Sequence, residues 1–302
     1  MIDCLVIGGG PAGLTAAVYL ARFRRSVVVV DAGESRAARI PLSHNIPGIA
    51  EGVRGVDLLA RHREQAAVYG IDPVGGTVDS LDATSAGGFM ATVRTADGRL
   101  TSLEARTVLL ATGVRDRDPD LPDVTRAILE GYVRHCPICD AFEVIDQNIG
   151  VLGDGRSAVG EAVFMRTYSE RVTLLMLSGA ADLTTDDRKR LRGQGIILVE
   201  EPVLSVTVQG GRIAALTTGQ GCNRRFDTLY SALGAYARSS LTQKLGADHD
   251  TACCAVVVDE HQRTSVPGLW AAGDVVTNLN QVSVAWGQAA VAATDIHNYL
   301  RR

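Results

Sequence analysis

The chain contains the same local pattern twice: a short apolar run, a glycine-rich turn, a helical pattern and a second apolar run. The first copy reads CLVIGGGPAGLTAAVYLARFRRSVVVVD, and the second reads NIGVLGDGRSAVGEAVFMRTYSERVTLLML. A strand that passes through closely spaced glycines into a helix, and returns as a second strand, is the βαβ unit that binds dinucleotides. The repeat therefore predicts an α/β protein with two Rossmann-like domains, each built in layers of sheet and helix.

The first copy has each part that a dinucleotide site needs. Residues 4–7 form an apolar run that enters Gly8-x-Gly10-x-x-Gly13, and Asp31 ends the second apolar run. Gly8 permits a tight turn, Gly10 lets the backbone approach a pyrophosphate, and Gly13 lets the helix pack closely on the strand. The helix N-terminus turns N–H groups toward phosphates, and an acid about 20 residues onward bonds ribose hydroxyls. We predict a dinucleotide site here, with Asp31 at the ribose.

The second copy keeps the same outline with Gly153, Gly155 and Ala158, followed by an apolar run at residues 172–177. It predicts either a second dinucleotide site or a nucleotide-free fold in which the glycines serve only packing. Both interpretations stay open.

The remaining sequence patterns predict where the domain boundaries lie. Alternating apolar and polar residues on both sides of Asp97-Gly98 predict a hairpin. A long amphipathic helix is predicted to close the chain, and short strands near Asp116 and Ala235 are predicted as domain junctions. We therefore expect one domain of residues 1–116 and 236–302, with a second domain, residues 117–235, inserted into the first.

Composition excludes several classes of function. The chain has 302 residues, 46% of them hydrophobic, and a net charge of -4 without a basic stripe, so nucleic-acid binding has little support. The N-terminus lacks the pattern of a signal peptide, and no run approaches the ~20 apolar residues that span a bilayer. Six cysteines are few for a secreted disulfide framework. A cytoplasmic protein is the expectation.

The stretch RHCPICDAF carries a Cys-x-x-Cys pair, Cys136 and Cys139, followed by Asp140. Such a pair is either a redox disulfide or half of a zinc site, and structural zinc needs four ligands. The other cysteines do not form a second pair of this kind; they are Cys4, Cys222, Cys253 and Cys254. Since neighbouring residues rarely point at one metal, the pattern favours a redox pair, and we expect no metal.

The order of the motifs resembles the thioredoxin reductase family, in its smaller flavoprotein type, over essentially the whole chain. GYVRHCPICDAFEV resembles that family's Gly-Val-Ser-x-Cys-x-x-Cys-Asp-Gly stretch, and SHNIPGI, ATG and GLWAAGDV resemble its flavin-contacting segments. The resemblance implies FAD in the first glycine unit. The FAD-binding residues that it implies are Gly8, Gly10, Pro11, Ala12, Gly13, Asp31, Asn45, Ala111, Thr112, Gly113, Gly273, Asp274, Gln281 and Val282.

The resemblance also implies roles for the cysteine pair. Cys139 would face the flavin, Cys136 would exchange with the partner, and Asp140 would donate and accept the proton. The implied partner is a small dithiol or disulfide protein or a low-molecular-weight thiol, and the implied assembly is a homodimer. His135 is assigned no role.

Two departures from the family concern the electron donor. NADPH-dependent members carry His-Arg-Arg after the second strand of the inserted domain, where cations hold the 2′-phosphate. Here residues 176–179 read Met-Leu-Ser-Gly, without a cation and without an acid for the ribose of NADH. Near the flavin, Asn280 replaces an arginine and Trp286 an alanine, although core packing is the favoured role for Trp286.

These departures are similar to the branches that do without pyridine nucleotides: ferredoxin-linked reductases, dithiol oxidases and diflavin-linked disulfide oxidoreductases. Our first hypothesis is an FAD-dependent disulfide oxidoreductase that does not use NADPH. The alternatives are an NADPH-dependent thioredoxin reductase and a non-catalytic flavin-binding redox sensor. A second FAD in or near the second glycine unit, stacked on Tyr168, Tyr236 or Trp286, is a further expectation of the diflavin-linked resemblance.

Overall fold

The structure is a computed structural model of the 302-residue chain. It describes every residue except 123, 210–211, 218–222, 252–253 and 277–278. Two of the cysteines considered above, Cys222 and Cys253, lie outside the described residues. Strands β1–β16 and helices α1–α8 are numbered along the chain.

The described chain divides into two compact units. The first comprises Met1–Leu42, Ile46–Arg115 and Ala235–Arg302, and the second comprises Ser43–Asn45 and Asp116–Gly234. Each contains a sheet with parallel strand pairs and helices, so the predicted α/β class with two Rossmann-like domains is confirmed. Which ligand each domain binds stays a prediction.

The first unit has a six-stranded sheet and a separate strand pair. Its strands are β1 (Ile2–Ile7), β2 (Val27–Asp31), β3 (Val74–Ala83), β4 (Phe89–Thr95), β5 (Leu100–Leu110), β6 (Val114–Asp116), β15 (Ala235–Ala237) and β16 (Leu269–Ala271). Its helices are α1 (Pro11–Arg22), α2 (Gly55–Val68), α7 (Ser240–Lys244) and α8 (Val282–Tyr299), with a 3-10 turn at Arg36–Arg39. The pairs β1–β2, β1–β5, β2–β3 and β5–β16 are parallel, whereas β3–β4 and β4–β5 are antiparallel.

Strand β5 has different partners along the two halves of its length. The first half of β5 pairs with β4 through the predicted hairpin at Asp97-Gly98, and its second half lies between β1 and β16. Side chains alternate between the two faces of a strand. Accordingly, Val6 packs toward α1 and α8, while Leu5 and Ile7 pack into the core on the opposite face.

The second unit has a five-stranded parallel sheet, in the order β10-β9-β8-β14-β7, and a three-stranded antiparallel sheet. Its strands are β7 (Val133–Arg134), β8 (Ile149–Gly153), β9 (Val172–Met176), β10 (Ile197–Val199), β11 (Val203–Gln209), β12 (Arg212–Thr217), β13 (Asn223–Phe226) and β14 (Thr228–Ser231). Its helices are α3 (Val124–Leu129), α4 (Pro137–Asp140), α5 (Gly155–Met165) and α6 (Thr185–Gly193), with a 3-10 turn at Ala141–Val144. Strands β8 and β9 are buried along their whole length, as expected of a parallel sheet covered on both faces. None of the described helices is long and apolar enough to cross a membrane.

Within each unit, the two ends of the chain that lead to the other unit lie side by side. In the first unit the Arg238 N–H donates to the carbonyl of Gly113, at 2.9 Å. In the second unit the Arg117 N–H donates to the carbonyl of Gly234, also at 2.9 Å. The chain passes from one unit to the other at strands β6 and β15, which pair with each other.

A buried carboxylate ties the last helix of the first unit to its sheet. Asp295 of α8 accepts two hydrogen bonds from Arg263, at 2.5 and 2.6 Å, and one from the indole N–H of Trp270, at 3.0 Å. Burial opposes the charge of Asp295, but these hydrogen bonds outweigh it and hold its pKa below the usual value. The carboxylate is therefore expected to stabilise the fold as an anion.

We expect Asp295→Ala to lower the free energy of unfolding by about 2–4 kcal/mol, because it leaves the buried Trp270 donor and the Arg263 guanidinium without their acceptor. Urea denaturation at pH 7 measures this change. Since the folded pKa is depressed, the stabilisation is present above the unfolded pKa of about 4 and is lost as the pH falls through the folded value. The difference between wild type and Asp295→Ala should therefore shrink in acid, and an unchanged difference would argue against an ionic role.

Candidate redox site

The second unit contains a disulfide between Cys136 and Cys139, with Cα atoms 5.3 Å apart. Cys136 is the N-cap of the short helix α4, and the Cys139 N–H donates to the Cys136 carbonyl at 2.9 Å. Both cysteines are half-buried. A helix start lowers the pKa of a cysteine thiol because the helix dipole favours the thiolate. The disulfide expected of a redox pair is thus present in the structure.

The alternative of a zinc site gains no support from the described part of the chain. No group of three or more histidine, cysteine or acidic side chains placed to hold a metal occurs there. Cys4 is buried in β1, and burial raises the pKa of its thiol to about 12. Cys254 is exposed and outside any disulfide.

Asp140, the residue after the disulfide, is buried and accepts two side-chain hydrogen bonds. The Tyr230 hydroxyl donates to Oδ1 at 2.7 Å, and the Arg134 guanidinium donates to Oδ2 at 2.8 Å. Tyr230 and Arg134 are register partners on the neighbouring strands β14 and β7, so they reach Asp140 from one face of the sheet. These two hydrogen bonds thereby fix the carboxylate of the residue that directly follows Cys139 in the chain.

The segment Ser43–Asn45 belongs to the second unit, where it touches the disulfide turn. The Asn45 amide donates to the carbonyl of Ile138, between the two cysteines, at 3.3 Å. His44 and Glu143 are within hydrogen-bonding distance, with 2.7 Å between Nδ1 and Oε1. His135, which has no assigned role, pairs with Asp118 at 2.9 Å. The predicted flavin contact of Asn45 remains a prediction; its side chain contacts the disulfide turn and also accepts from the Ser43 hydroxyl at 2.7 Å.

The glycine loop of the first unit has the close packing predicted from the sequence. Gly8 has φ +113°, and a Cβ on it would lie 2.3 Å from the Ala111 carbonyl oxygen. A Cβ on Gly13 would lie 1.9 Å from the Gly8 carbonyl oxygen. Helix α1 begins directly after this loop with Pro11 at its first position, which suits proline because the first N–H of a helix has no partner within the helix. The loop and the helix N-terminus together fit a dinucleotide diphosphate.

Asp31 closes the same loop at the end of β2. Its Oδ1 accepts from the N–H groups of Gly9, at 3.2 Å, and Gly33, at 3.1 Å, while its Oδ2 pairs with Arg63 at 3.3 Å. Its position between the glycine loop and the strand end is where a dinucleotide ribose binds. The contact of Asp31 with a ribose stays a prediction.

The Gly273-Asp274 segment lies against the start of α1. A Cβ on Gly273 would lie 2.9 Å from Cβ of Ala12, and the buried Gln288 side chain accepts from the Gly273 N–H at 2.8 Å. Asp274 forms an ion pair with Arg36 at 3.1 Å. The structure thus brings Gly273 close to the start of α1, and the FAD contacts implied for Gly273 and Asp274 stay predictions.

Two further predicted segments lie elsewhere in the first unit. The Thr112 hydroxyl donates to the carbonyl of Arg238 at 2.6 Å, and Gly113 follows with φ +66°. Gln281 is the N-cap of α8, and Val282 packs with Trp286 on a small apolar cluster. The geometry does not assign a ligand contact to any of these four residues.

The Trp286 side chain is packed against neighbouring residues. It contacts the apolar cluster of Ile46, Val53 and Leu58, and its indole N–H donates to Nε2 of His62 at 3.1 Å. Burial lowers the pKa of His62, which favours the neutral acceptor. This arrangement agrees with the packing role expected from the sequence.

The glycine loop of the second unit differs in its charges. Gly155 has φ +65°, and a Cβ on Gly153 would lie 3.1 Å from that of Ala158. Asp154 of the loop accepts hydrogen bonds from the N–H groups of Leu177 and Ser178, both at 3.0 Å. The sequence predicts no acid at the end of β9. The strand itself carries none there, but Asp154 of the glycine loop supplies one.

No cation occurs at residues 176–179, and Met176 is fully buried. Arg188 of α6 lies nearby, since it donates to the carbonyl of Ala180 at 3.0 Å, but it also pairs with Glu200. The Asp154 carboxylate thus lies beside the end of β9, and residues 176–179 carry no cation. Tyr168, proposed to stack on a second flavin, follows the C-terminal end of α5 and packs on Phe164. Helix α5, which is about 16 Å long, lies between Tyr168 and the glycine loop.

Sequence reasoning missed three residues of this site: Arg134, Asp154 and Tyr230. Arg134 stands where the family stretch has serine, which was a visible signal. Tyr230 lies in a buried strand, and a buried tyrosine hydroxyl needs a partner. Asp154 interrupts the glycine loop, but its acceptor role depends on where β9 ends.

Comparison with known proteins gives consistent matches over the whole chain. A family model described as pyridine nucleotide-disulphide oxidoreductase matches residues 2–289. A thioredoxin reductase of Aquifex aeolicus (strain VF5) is 30% identical, over 99% of this chain and 93% of that protein. A bifunctional thioredoxin reductase/thioredoxin of Mycobacterium leprae (strain TN) is also 30% identical, over 99% of this chain, which spans 66% of that protein. The crystal structure of HlmI has a TM-score of 0.89 and 32% identity, covering 99% of this chain and 92% of that one.

Proposed function

Because the chain belongs to the pyridine nucleotide-disulphide oxidoreductase family, and is an enzyme of the flavin-dependent disulfide oxidoreductase type, we propose that it couples a bound FAD to the Cys136–Cys139 disulfide. The bound FAD supplies or accepts two electrons. The observation that carries the proposal is the disulfide at a helix start, with Asp140 held in a fixed position next to it. A non-catalytic sensor would need neither feature.

The chain's own residues supply the thiol chemistry. A reduced Cys136–Cys139 pair exchanges with a partner when one sulfur loses its proton and attacks the partner's disulfide as a thiolate. We assign the exchange to Cys136 and the flavin-facing position to Cys139. Asp140 holds or accepts the proton as the pair opens and closes.

We propose a small dithiol or disulfide protein, or a low-molecular-weight thiol, as the partner. The relatives named thioredoxin reductase support a thioredoxin-like protein, and the Mycobacterium leprae relative is named for both a reductase and a thioredoxin activity. A homodimer is proposed with it on the resemblance alone.

For the electron donor we propose that the enzyme does not use NADPH. The support is electrostatic: the Asp154 carboxylate lies at the end of β9, and residues 176–179 carry no cation that could hold a 2′-phosphate. The second candidate is an NADPH-dependent thioredoxin reductase. The names of the relatives favour that candidate over the first.

The FAD assignment predicts one flavin per chain, bound in the first unit. Gly13→Ala should abolish it, because the new Cβ would overlap the Gly8 carbonyl oxygen and push α1 away from the loop. Gly160→Ala is the matched control, since a Cβ there meets no atom within 4 Å, and it should retain wild-type flavin. The flavin released by denaturation is counted against protein by absorbance.

Two other results would change the proposal. A colourless wild-type protein that cannot be reconstituted would remove FAD from it. A ratio near two would support the further proposal of a second FAD in the second unit, whereas a ratio of one, unchanged by excess FAD, would exclude that flavin.

A further inference from the structure

The Asp140 carboxylate accepts hydrogen bonds from side chains of two strands of the second unit. Tyr230 of β14 and Arg134 of β7 each donate to one of its oxygens, at 2.7 and 2.8 Å. Asp140 is 6% exposed and Tyr230 is fully buried. Because both donors stand on paired strands of the central sheet, the carboxylate is fixed even though its own helix has only four residues.

Tyr230 is a permanent donor in this arrangement. Burial, and then the neighbouring charge of Asp140, raise its pKa above the ordinary value, so the hydroxyl keeps its proton over the working pH range. The Tyr230 hydroxyl and the Arg134 guanidinium therefore both face the Asp140 carboxylate as hydrogen-bond donors.

Glu161 of α5 is the third charged group that acts on Tyr230, after Asp140 and Arg134. Burial raises the pKa of Glu161 to about 7. Its Oε1 is buried and accepts no hydrogen bond from the described residues. Glu161 therefore titrates in the range in which the thiols are measured and has to be separated from them.

We propose that Tyr230 and Arg134 are positioning residues that offset the charge of Asp140, so that a thiolate can form beside this carboxylate when the Cys136–Cys139 disulfide is reduced. The inference rests on the proposed function only in taking these cysteines as the redox pair. A bare carboxylate next to a thiol disfavours the thiolate, because two like charges would stand close together. Hydrogen bonds from Tyr230 and Arg134 spread and compensate the carboxylate charge and so remove part of this penalty.

The proton step is simple to balance. One S–H bond of the reduced pair breaks, the sulfur keeps the electron pair, and the proton ends in water, directly or by way of Asp140. No electron is transferred in this step. The quantity that reports on it is the pH at which half of the more reactive thiol is present as thiolate.

The experiment measures this midpoint in the full-length, flavin-containing protein. The protein is reduced, freed of reductant without oxygen, and treated briefly with iodoacetamide between pH 5 and 10. Alkylation of each cysteine is then read by peptide mass spectrometry. Tyr230→Phe should raise the midpoint by up to about one pH unit: a hydrogen bond to a charged group is worth about a factor of ten, and the part of it that changes the potential at the sulfur moves the thiol midpoint. Arg134→Gln should raise it further, since it removes a full charge.

Removing the charge of Asp140 tests whether these shifts act through the carboxylate. Asp140→Asn should lower the midpoint, and Tyr230→Phe should then have no further effect in the Asp140→Asn background. A tyrosine that only supports the fold would shift the midpoint equally in both backgrounds. All variants are repeated with Glu161→Gln, which removes the overlapping titration near pH 7.

The outcomes separate the inference from the proposed function. An unchanged midpoint in both Tyr230→Phe and Arg134→Gln, or an equal Tyr230→Phe shift in the Asp140→Asn background, would overturn the positioning role. A wild-type pair whose thiols both titrate at or above the ordinary cysteine value of about 8.5 would instead count against the proposed redox function.

Discussion

Cys136→Ser should bind FAD normally but lose exchange with a thiol or disulfide partner by about three orders of magnitude or more, because the serine hydroxyl is not ionised near neutral pH and cannot replace an attacking thiolate. The variant should also leave Cys139 as a lone thiolate. If that sulfur faces the flavin, a long-wavelength charge-transfer absorption should appear. Absorption spectra between pH 5 and 9, beside a turnover assay with a small disulfide protein, measure both effects.

Cys139→Ser is the matched variant. It removes the same disulfide and should lose turnover to a similar extent, but it should not develop the long-wavelength band. The opposite spectra would exchange the roles of the two sulfurs. Turnover that survives in both variants would show that this disulfide is not on the electron path.

NADPH added without oxygen should bleach the wild-type flavin very slowly or not at all. A bond between a guanidinium and a phosphate contributes about 1.5–3 kcal/mol, and ~1.4 kcal/mol is a factor of ten in affinity. Residues 176–179 offer no such bond, and the Asp154 carboxylate repels a 2′-phosphate at the end of β9. Stopped-flow absorbance, with NADH in a parallel series, measures the rate of reduction.

Adding the missing cations should restore use of NADPH. The double variant Leu177→Arg, Ser178→Arg is expected to improve the half-saturating NADPH concentration by roughly a hundredfold or more, which corresponds to two charge-assisted bonds. Leu177→Gln, Ser178→Gln supplies polar side chains without charge and should change little. Fast bleaching of the wild-type flavin by micromolar NADPH would reject our proposal for the donor and support the NADPH-dependent thioredoxin reductase.

Much of the fold could be predicted because its signals are local. Gly8 and Gly13 are five residues apart, and the turn that they form requires glycine whatever the rest of the chain does. The Cys136–Cys139 pair is equally local, since only two residues lie between the bonded cysteines. Such features depend on short-range sterics that a sequence displays directly.

The contacts of Asp140 and Asp154 could not be predicted in the same way. Tyr230 lies 90 residues from Asp140, and they meet only because β14 and β7 pair in one particular register. Asp154 reaches a strand end 23 residues away, so the loop supplies an acid that was sought on the strand. Both interactions are set by sheet order, which the spacing of residues does not reveal.

The hydrogen bond between Arg117 and Gly234, and the one between Gly113 and Arg238, have a consequence for the modularity of the gene. If the chain were cut at these two crossings, the two new ends within each unit would already be neighbours. A tight turn of a few residues could then join them and leave each sheet unaltered. Residues 116–234 are thus the continuous part of the second unit, to which Ser43–Asn45 also belongs, and recombination could remove, replace or exchange this part without threading the chain through its host. The electron donor could change by replacement of residues 116–234 alone, while the first glycine unit and the flavin proposed to bind there were inherited intact.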